Sequence, residues 1–163
     1  CMAGNISILQ NQIGYPVEKE ICSGPSTSFS CNTASMNYQW KVNTGNDFVN
    51  ISDGAYYTGA STNNLALSGI PSSFYGYQYE CITDTDTSDV YKLVFSNVWT
   101  GAVNSTWENG ANWSCGNLPD ANTDAIVNSG SVVLNSNVTV RILYLANCVT
   151  FSVNPRYTLT INH

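Results

Sequence analysis

Tyr38-Gln39-Trp40-Lys41-Val42 and Gly76-Tyr77-Gln78-Tyr79-Glu80-Cys81 are the stretches whose reading decides the fold. Both alternate with a period of two, the pattern of a half-buried strand whose successive side chains face opposite ways. Tyr38, Trp40 and Val42 fall on one face of the first strand, and Tyr77, Tyr79 and Cys81 on one face of the second. Upstream, Phe29 and Cys31 share a face in Thr27-Ser28-Phe29-Ser30-Cys31.

A cysteine, then a tryptophan, then a second cysteine preceded two places earlier by a tyrosine is the core pattern of an immunoglobulin-like sandwich. In that pattern a Cys31–Cys81 disulfide would join the two sheets. The Trp40 indole would pack on the bridge, and the Tyr79 hydroxyl would tie the corner leading into its strand. The neighbouring sequence supplies the other strands. Residues 17–22 lead in, with Ser23-Gly24-Pro25-Ser26 as a turn. Strands are expected over 37–42, near 48–51, around Leu65 and Leu67, and over 77–83 and 90–96. Residues 55–63 read as a surface loop, and no segment carries a helical period.

These stretches resemble the immunoglobulin-like modules of secreted and cell-surface proteins of the Bacteroidota. The resemblance rests on Ile21-Cys22-Ser23-Gly24, Tyr38 to Gly45, Phe48 to Gly54, Tyr57 to Leu67 and Gly76 to Cys81, and covers most of residues 17–96. The chain departs from the antibody pattern at Tyr75, where an acidic residue is usual. It departs from the bacterial modules at Cys31, a position more often apolar there, so Cys22 competes with Cys31 for Cys81. The resemblance implies an extracellular location and an architecture; it supplies no chemistry, because the fold hosts many functions.

Composition agrees with that setting. Only 10% of the 163 residues are charged and the net charge is −6, with five Lys+Arg. Nucleic acid and anionic membrane both demand clustered cations, so neither is an expected partner. No apolar run approaches the roughly 20 residues of a membrane-spanning helix. The chain opens on Cys1 without an initiator methionine and reads as processed or as a fragment. Six cysteines with no Cys-x-x-Cys pair read as disulfides rather than zinc ligands. Spacing leaves the connectivity open; the preferred set is Cys31–Cys81, Cys115–Cys148 and Cys1–Cys22.

The pattern changes at Asn97-Val98-Trp99. From there the chain reads Trp107-Glu108-Asn109-Gly110-Ala111-Asn112-Trp113-Ser114-Cys115, followed by short β-rich runs over 131–134, 138–145, 149–153 and 157–161. This resembles the opening of β-solenoid regions in bacterial adhesins. The expected architecture is therefore all-β: an N-terminal strand segment over 1–16, an immunoglobulin-like sandwich over 17–96, and a second small β domain over 97–163, sandwich or β-solenoid-like.

Trp99, Trp107 and Trp113 invite a glycan reading, since exposed indoles stack on sugar rings while Glu108, Asn109 and Asn112 would bond hydroxyls. The competing reading, that these indoles form the core of a small domain, is the stronger, because tryptophan is mostly buried. Asp120, Asn122 and Asp124 place oxygens at every second position, as a Ca2+ loop begins, but lack its glycine and distal glutamate. Asp84, Asp86 and Asp89 crowd another turn. In both places solvated turns with local backbone bonds are the alternative. The one histidine is the last residue and no nucleophile–base pattern occurs, so an enzyme and a bound cofactor are not expected.

A structural or adhesive extracellular protein is the leading expectation, and a carbohydrate-binding or adhesin module of a larger secreted protein the alternative. The ends of the chain suggest head-to-tail self-association into a filament. Tyr157 to His163 reads as a strand with an open edge, and residues 1–12 carry the β-capable Ile6-Ser7-Ile8 as a possible donor strand.

Overall fold

The computed structural model describes residues 16–162, so the expected N-terminal strand segment and Cys1 lie outside the described residues. The fold is all-β, with helical structure limited to two short 3-10 turns at Ser72–Phe74 and Gly110–Asn112 among the described residues. Contacts divide the chain between Val94 and Phe95 into two compact units.

The first unit is a sandwich. One sheet carries β3 (Tyr38–Asn43) between β4 (Val49–Asn50) and β7 (Gln78–Thr83). Outside β7 come β8 (Tyr91–Val98) and, paired with it, β1 (Val17–Ile21). The other sheet has the order β2 (Thr27–Ser30), β6 (Asn64–Leu67), β5 (Tyr57–Thr58). β5 lies within the stretch expected to be an irregular loop. Its two residues carry no alternation long enough to read, and Tyr57 and Thr58 become strand only by pairing with Leu67 and Ala66.

Alternation puts the core where period-two patterning requires it. Trp40 stands opposite Cys81 and Val42 opposite Tyr79 in the antiparallel β3–β7 pair, so all four share the inner face. All four are buried, with Phe29, Leu65 and Leu67 of the facing sheet. Phe29 stacks on Tyr79 and Tyr91 with ring centroids 4.9 and 5.2 Å apart. Trp40 Nε1 donates to the Thr62 carbonyl at 2.9 Å, satisfying the indole's one donor.

The second unit is a β-coil of parallel strands. β9 (Asp124–Val127) lies against Ser96–Val98 of β8 on one side and β12 (Ile142–Leu145) on the other, all parallel. β10 (Ser131–Leu134) pairs in parallel with β13 (Thr150–Val153), and β11 (Val138–Val140) with β14 (Leu159–Ile161). Chain order therefore runs around three faces, β9–β10–β11, and then around the same faces again, β12–β13–β14. Parallel pairing of this kind is the solenoid arrangement, in which each turn contacts only its neighbours. The run expected as one strand over 138–145 is broken at Arg141, where the chain turns from the third face back to the first. A core of Ala125, Val127, Val132, Leu134 and Val140 fills the first full turn.

Candidate functional site

Two places in the second unit gather the residues of interest: the loop that closes one end of the coil and the bare last turn at the other.

The closing loop is built around Asn112, which is fully buried. Its Oδ1 accepts from the backbone N–H groups of Val103 and Asn104 at 2.9 and 3.1 Å. Its Nδ2 donates to Asn104 Oδ1 and the Thr106 carbonyl at 2.8 and 2.9 Å. One amide thus satisfies four partners that would otherwise be stranded. Asn97 does similar work nearby. Its Nδ2 donates to the Asn117 carbonyl at 2.8 Å, and its Oδ1 accepts from the Cys115 N–H at 3.0 Å. Asn109 caps the short 3-10 turn, accepting from the Ala111 N–H at 3.1 Å. Gly110 is required by proximity: a Cβ there would lie 2.7 Å from the Gly116 carbonyl oxygen.

Those bonds set the three tryptophans into the core. Trp113 packs edge-on against Trp99 and Trp107 with centroids 5.2 and 4.6 Å apart, and its Nε1 donates to the Trp107 carbonyl at 3.0 Å. Trp99, Trp107 and Trp113 are all buried. This corrects the glycan reading: buried indoles present no ring face for a sugar to stack on. The polar members of the proposed subsite bond within the unit, although Glu108 Oε2 and the neighbouring Trp107 Nε1 are buried without a hydrogen-bond partner. Glu108 Oε1 accepts from the Asn135 N–H and the Ser136 hydroxyl at 2.7 and 2.8 Å, holding the turn before β11.

The residues of the Ca2+ reading, Asp120, Asn122 and Asp124, have local partners in the structure. Asp120 Oδ1 accepts from the Asn122 N–H at 3.0 Å and the Thr123 hydroxyl at 2.8 Å, a local turn. Asp124 lies in β9 and pairs with Arg141. Among the described residues no group of three or more His, Cys, Asp or Glu side chains is placed to hold a metal ion. At the other acidic turn, Asp84 accepts from Asn37 Nδ2 and the Ser35 hydroxyl, both at 2.9 Å. Those bonds hold its carboxyl below the ordinary carboxylate range, Asn37 contributing most.

The cysteines differ from expectation. Cys31 and Cys81 are both buried and both free thiols. They face one another: burial, and then the hydrogen bond shared with the neighbouring Cys31, which favours the protonated form, push the Cys81 thiol up to about 12. Tyr79 likewise departs from the corner role, its hydroxyl lying 3.4 Å from that of Tyr57 on β5. Burial raises both tyrosines above their ordinary value. Cys22, Cys115 and Cys148 are disulfide-bonded, but Cys115 and Cys148 are not bonded to each other. Cys115 lies beside Ser96 of the first turn, its Sγ 3.3 Å from that carbonyl, while Cys148 lies in the last turn between β12 and β13.

Among the described residues the last turn of the coil is the least covered. Register stacks Leu145 on Val127, Val153 on Leu134 and Ile161 on Val140. The lower member of each column is 0% exposed, whereas Leu145, Val153 and Ile161 are 45%, 37% and 45% exposed. Leu143, Phe151 and Leu159 share that turn and are only partly buried. Among the described residues no strand pairs with the outer edges of β12, β13 or β14.

The chain matches no known protein-family model and no curated protein sequence. Among the described residues no helix is long and apolar enough to cross a membrane.

Sequence reading found the strand edge at 157–161 but missed the wider face to which it belongs. The signal was present: Ala125-Ile126-Val127, Val132-Val133-Leu134 and Val138-Thr139-Val140 recur as Leu143-Tyr144-Leu145, Phe151-Ser152-Val153 and Leu159-Thr160-Ile161. Aligning those runs gives the repeat. Asn112 and Asn97 carried no such signal, because a buried amide in an Asn-rich chain looks like any other.

Proposed function

We propose that this chain is a non-catalytic extracellular structural protein that assembles by β-strand addition at the open end of its coil. The observation that carries the reading is the contrast within each column, buried in one turn and bare in the next. An open strand edge above an uncovered apolar row is a template for further β-structure. The disulfide-bonded cysteines, the scarcity of charge and the resemblance to Bacteroidota surface modules support an extracellular setting.

Assembly is tested by measuring solution mass and amide exchange together across a wide concentration range, under oxidising conditions. Mass is expected to rise with concentration while amides of β12, β13 and β14 become protected. Exchange at those strands that stays constant while the protein remains a monomer overturns the reading.

A further inference from the structure

We propose that Tyr56, Phe74 and Tyr77, on the surface of the first unit, form a binding site for a neutral saccharide. The site belongs to the sandwich rather than to the tryptophan loop, and it goes beyond the structural reading above.

The rings come first. Phe74 stacks on Tyr77 with centroids 4.6 Å apart and meets Tyr56 edge-on at 5.1 Å. Tyr56 is 38% exposed, and Phe74 and Tyr77 are half-buried, so these rings reach solvent as the indoles of the second unit do not. The hydroxyls come second. Tyr38 and Tyr91 spend theirs on backbone groups of Ser35 and Ser30, and Tyr57 and Tyr79 spend theirs on each other. Those of Tyr56 and Tyr77 have no protein partner among the described residues. Ser68 and Ser73 add exposed hydroxyls close by. The Ser68 N–H donates to the Tyr56 carbonyl at 3.1 Å, and Ser73 adjoins Phe74 in the chain. Charge comes third. From Gly54 to Tyr79 the chain has no charged residue, although the whole carries −6. Asp53, at the border of that stretch, is engaged, its Oδ1 accepting from the Ala60 N–H at 2.8 Å.

The backbone holds the rings in place before any ligand arrives. The N–H groups of Phe74, Tyr75 and Tyr77 donate to the carbonyls of Pro71, Ser72 and Phe74 at 3.0, 2.9 and 3.0 Å. The Gly76 N–H donates to the Leu93 carbonyl at 2.8 Å, and the Leu93 N–H returns to the Tyr77 carbonyl at 2.9 Å. Little ordering is then left for binding to bear. A pyranose carries apolar C–H groups on its face and hydroxyls around its rim. The first fit against a phenol ring, and the second bond phenol and serine hydroxyls, which both donate and accept. Tyrosine and serine serve recognition surfaces for the same reasons. An acidic sugar would ask for cations, which this stretch lacks, so the ligand class is neutral.

The experiment is calorimetric titration of the chain with cellohexaose, xylohexaose, mannohexaose and decaproline at low and high salt. Tyr56→Ala and Tyr77→Phe are titrated beside it, with Tyr144→Ala as control. Tyr56 and Tyr144 are 38% and 54% exposed, so both truncations are expected to keep the circular dichroism spectrum and melting of the parent. At least one hexasaccharide is expected to bind, equally at both salt levels, because no ion pair is involved. Tyr56→Ala is expected to weaken that binding about tenfold or more, as truncation of an anchoring tyrosine does. Tyr77→Phe removes only an oxygen and is expected to weaken it several-fold. Tyr144→Ala is expected to leave it unchanged. Failure of all three sugars to bind at millimolar concentration overturns the inference. Sugar binding that survives both Tyr56→Ala and Tyr77→Phe, or that high salt abolishes, overturns it by placing the contact elsewhere. Decaproline bound through Tyr56 in place of the sugars overturns it in favour of a proline-rich peptide. Assembly through the second unit is read from solution mass and stands or falls separately.

Discussion

Arg141 grips Asp124 across successive turns of the coil, its Nε and terminal nitrogen reaching the two carboxylate oxygens at 2.5 and 2.6 Å. The Arg141 N–H also donates to the Thr123 carbonyl at 3.1 Å. The pair therefore sits where the chain steps from one turn to the next, and a two-pronged bond there sets the register of β12 on β9. Hydrogen bonds to charged groups contribute about 1.5–3 kcal/mol. Arg141→Ala is expected to lower stability by about 2 kcal/mol in urea unfolding. A double-mutant cycle with Asp124→Asn should show strong coupling; additive losses would mean that the pair acts separately.

Asn112 is expected to be the most sensitive polar position of the second unit. Asn112→Ala strands two backbone N–H groups in a buried site, each orphan costing about 1–3 kcal/mol. The near-ultraviolet dichroism of the three tryptophans should collapse with it. Asn112→Asp should also destabilise, since it sets an oxygen against the Thr106 carbonyl. A variant that keeps the tryptophan signal and melting of the parent would show that the bracket is dispensable.

Asp84 makes the first unit sensitive to acid. Its carboxyl is lowered by bonds that favour the charged form, Asn37 foremost. A depressed carboxylate contributes stability that is complete above its unfolded value of about 3.9 and is lost as pH falls through the folded value. Asp84→Asn should flatten that part of the stability–pH curve below about pH 4. Identical acid sensitivity in parent and variant would assign the loss to other carboxylates.

Cys31 and Cys81 should resist alkylation in the folded protein. Both thiols are buried, and Cys81 is pushed up to about 12, so almost none of it is thiolate near neutrality. Iodoacetamide at neutral pH is expected to label neither until denaturant unfolds the sandwich, whereupon mass spectrometry should find two adducts. Labelling of either under native conditions would show that the sandwich opens locally.

Much of this architecture was legible because alternation and burial obey the same period. Trp40, Val42, Tyr79 and Cys81 could be assigned to one inner face from spacing alone, and they share it. The bonding state of Cys31 and Cys81 was not legible, because facing cysteines satisfy the pattern whether or not sulfur joins sulfur. The pairing direction of the later strands was equally hidden. A short run such as Val138-Thr139-Val140 is the same string in a sandwich or a coil, and only its parallel partner Leu159-Thr160-Ile161 decides between them. The Trp-rich stretch admitted a sugar reading beside the favoured core one because its polar residues look like a binding set, and the indoles are buried. Asn109 and Asn112 bond groups of their own loop, and Glu108 Oε1 bonds the Asn135–Ser136 turn.

The stacked columns have a consequence for how the molecule comes apart and how it can grow. Where each turn rests only on its neighbours, stability is nearly a sum over turns, and loss begins at whichever turn has one neighbour instead of two. Among the described residues that turn is β12–β13–β14, so fraying of this stretch is expected to run backward from Ile161 toward the tryptophans in discrete steps. The same independence makes length a tunable dimension. A duplicated turn inserted after Val140 would find Val127, Leu134 and Val140 beneath it and the present last turn above it, lengthening the coil by one strand spacing with no residue elsewhere obliged to move.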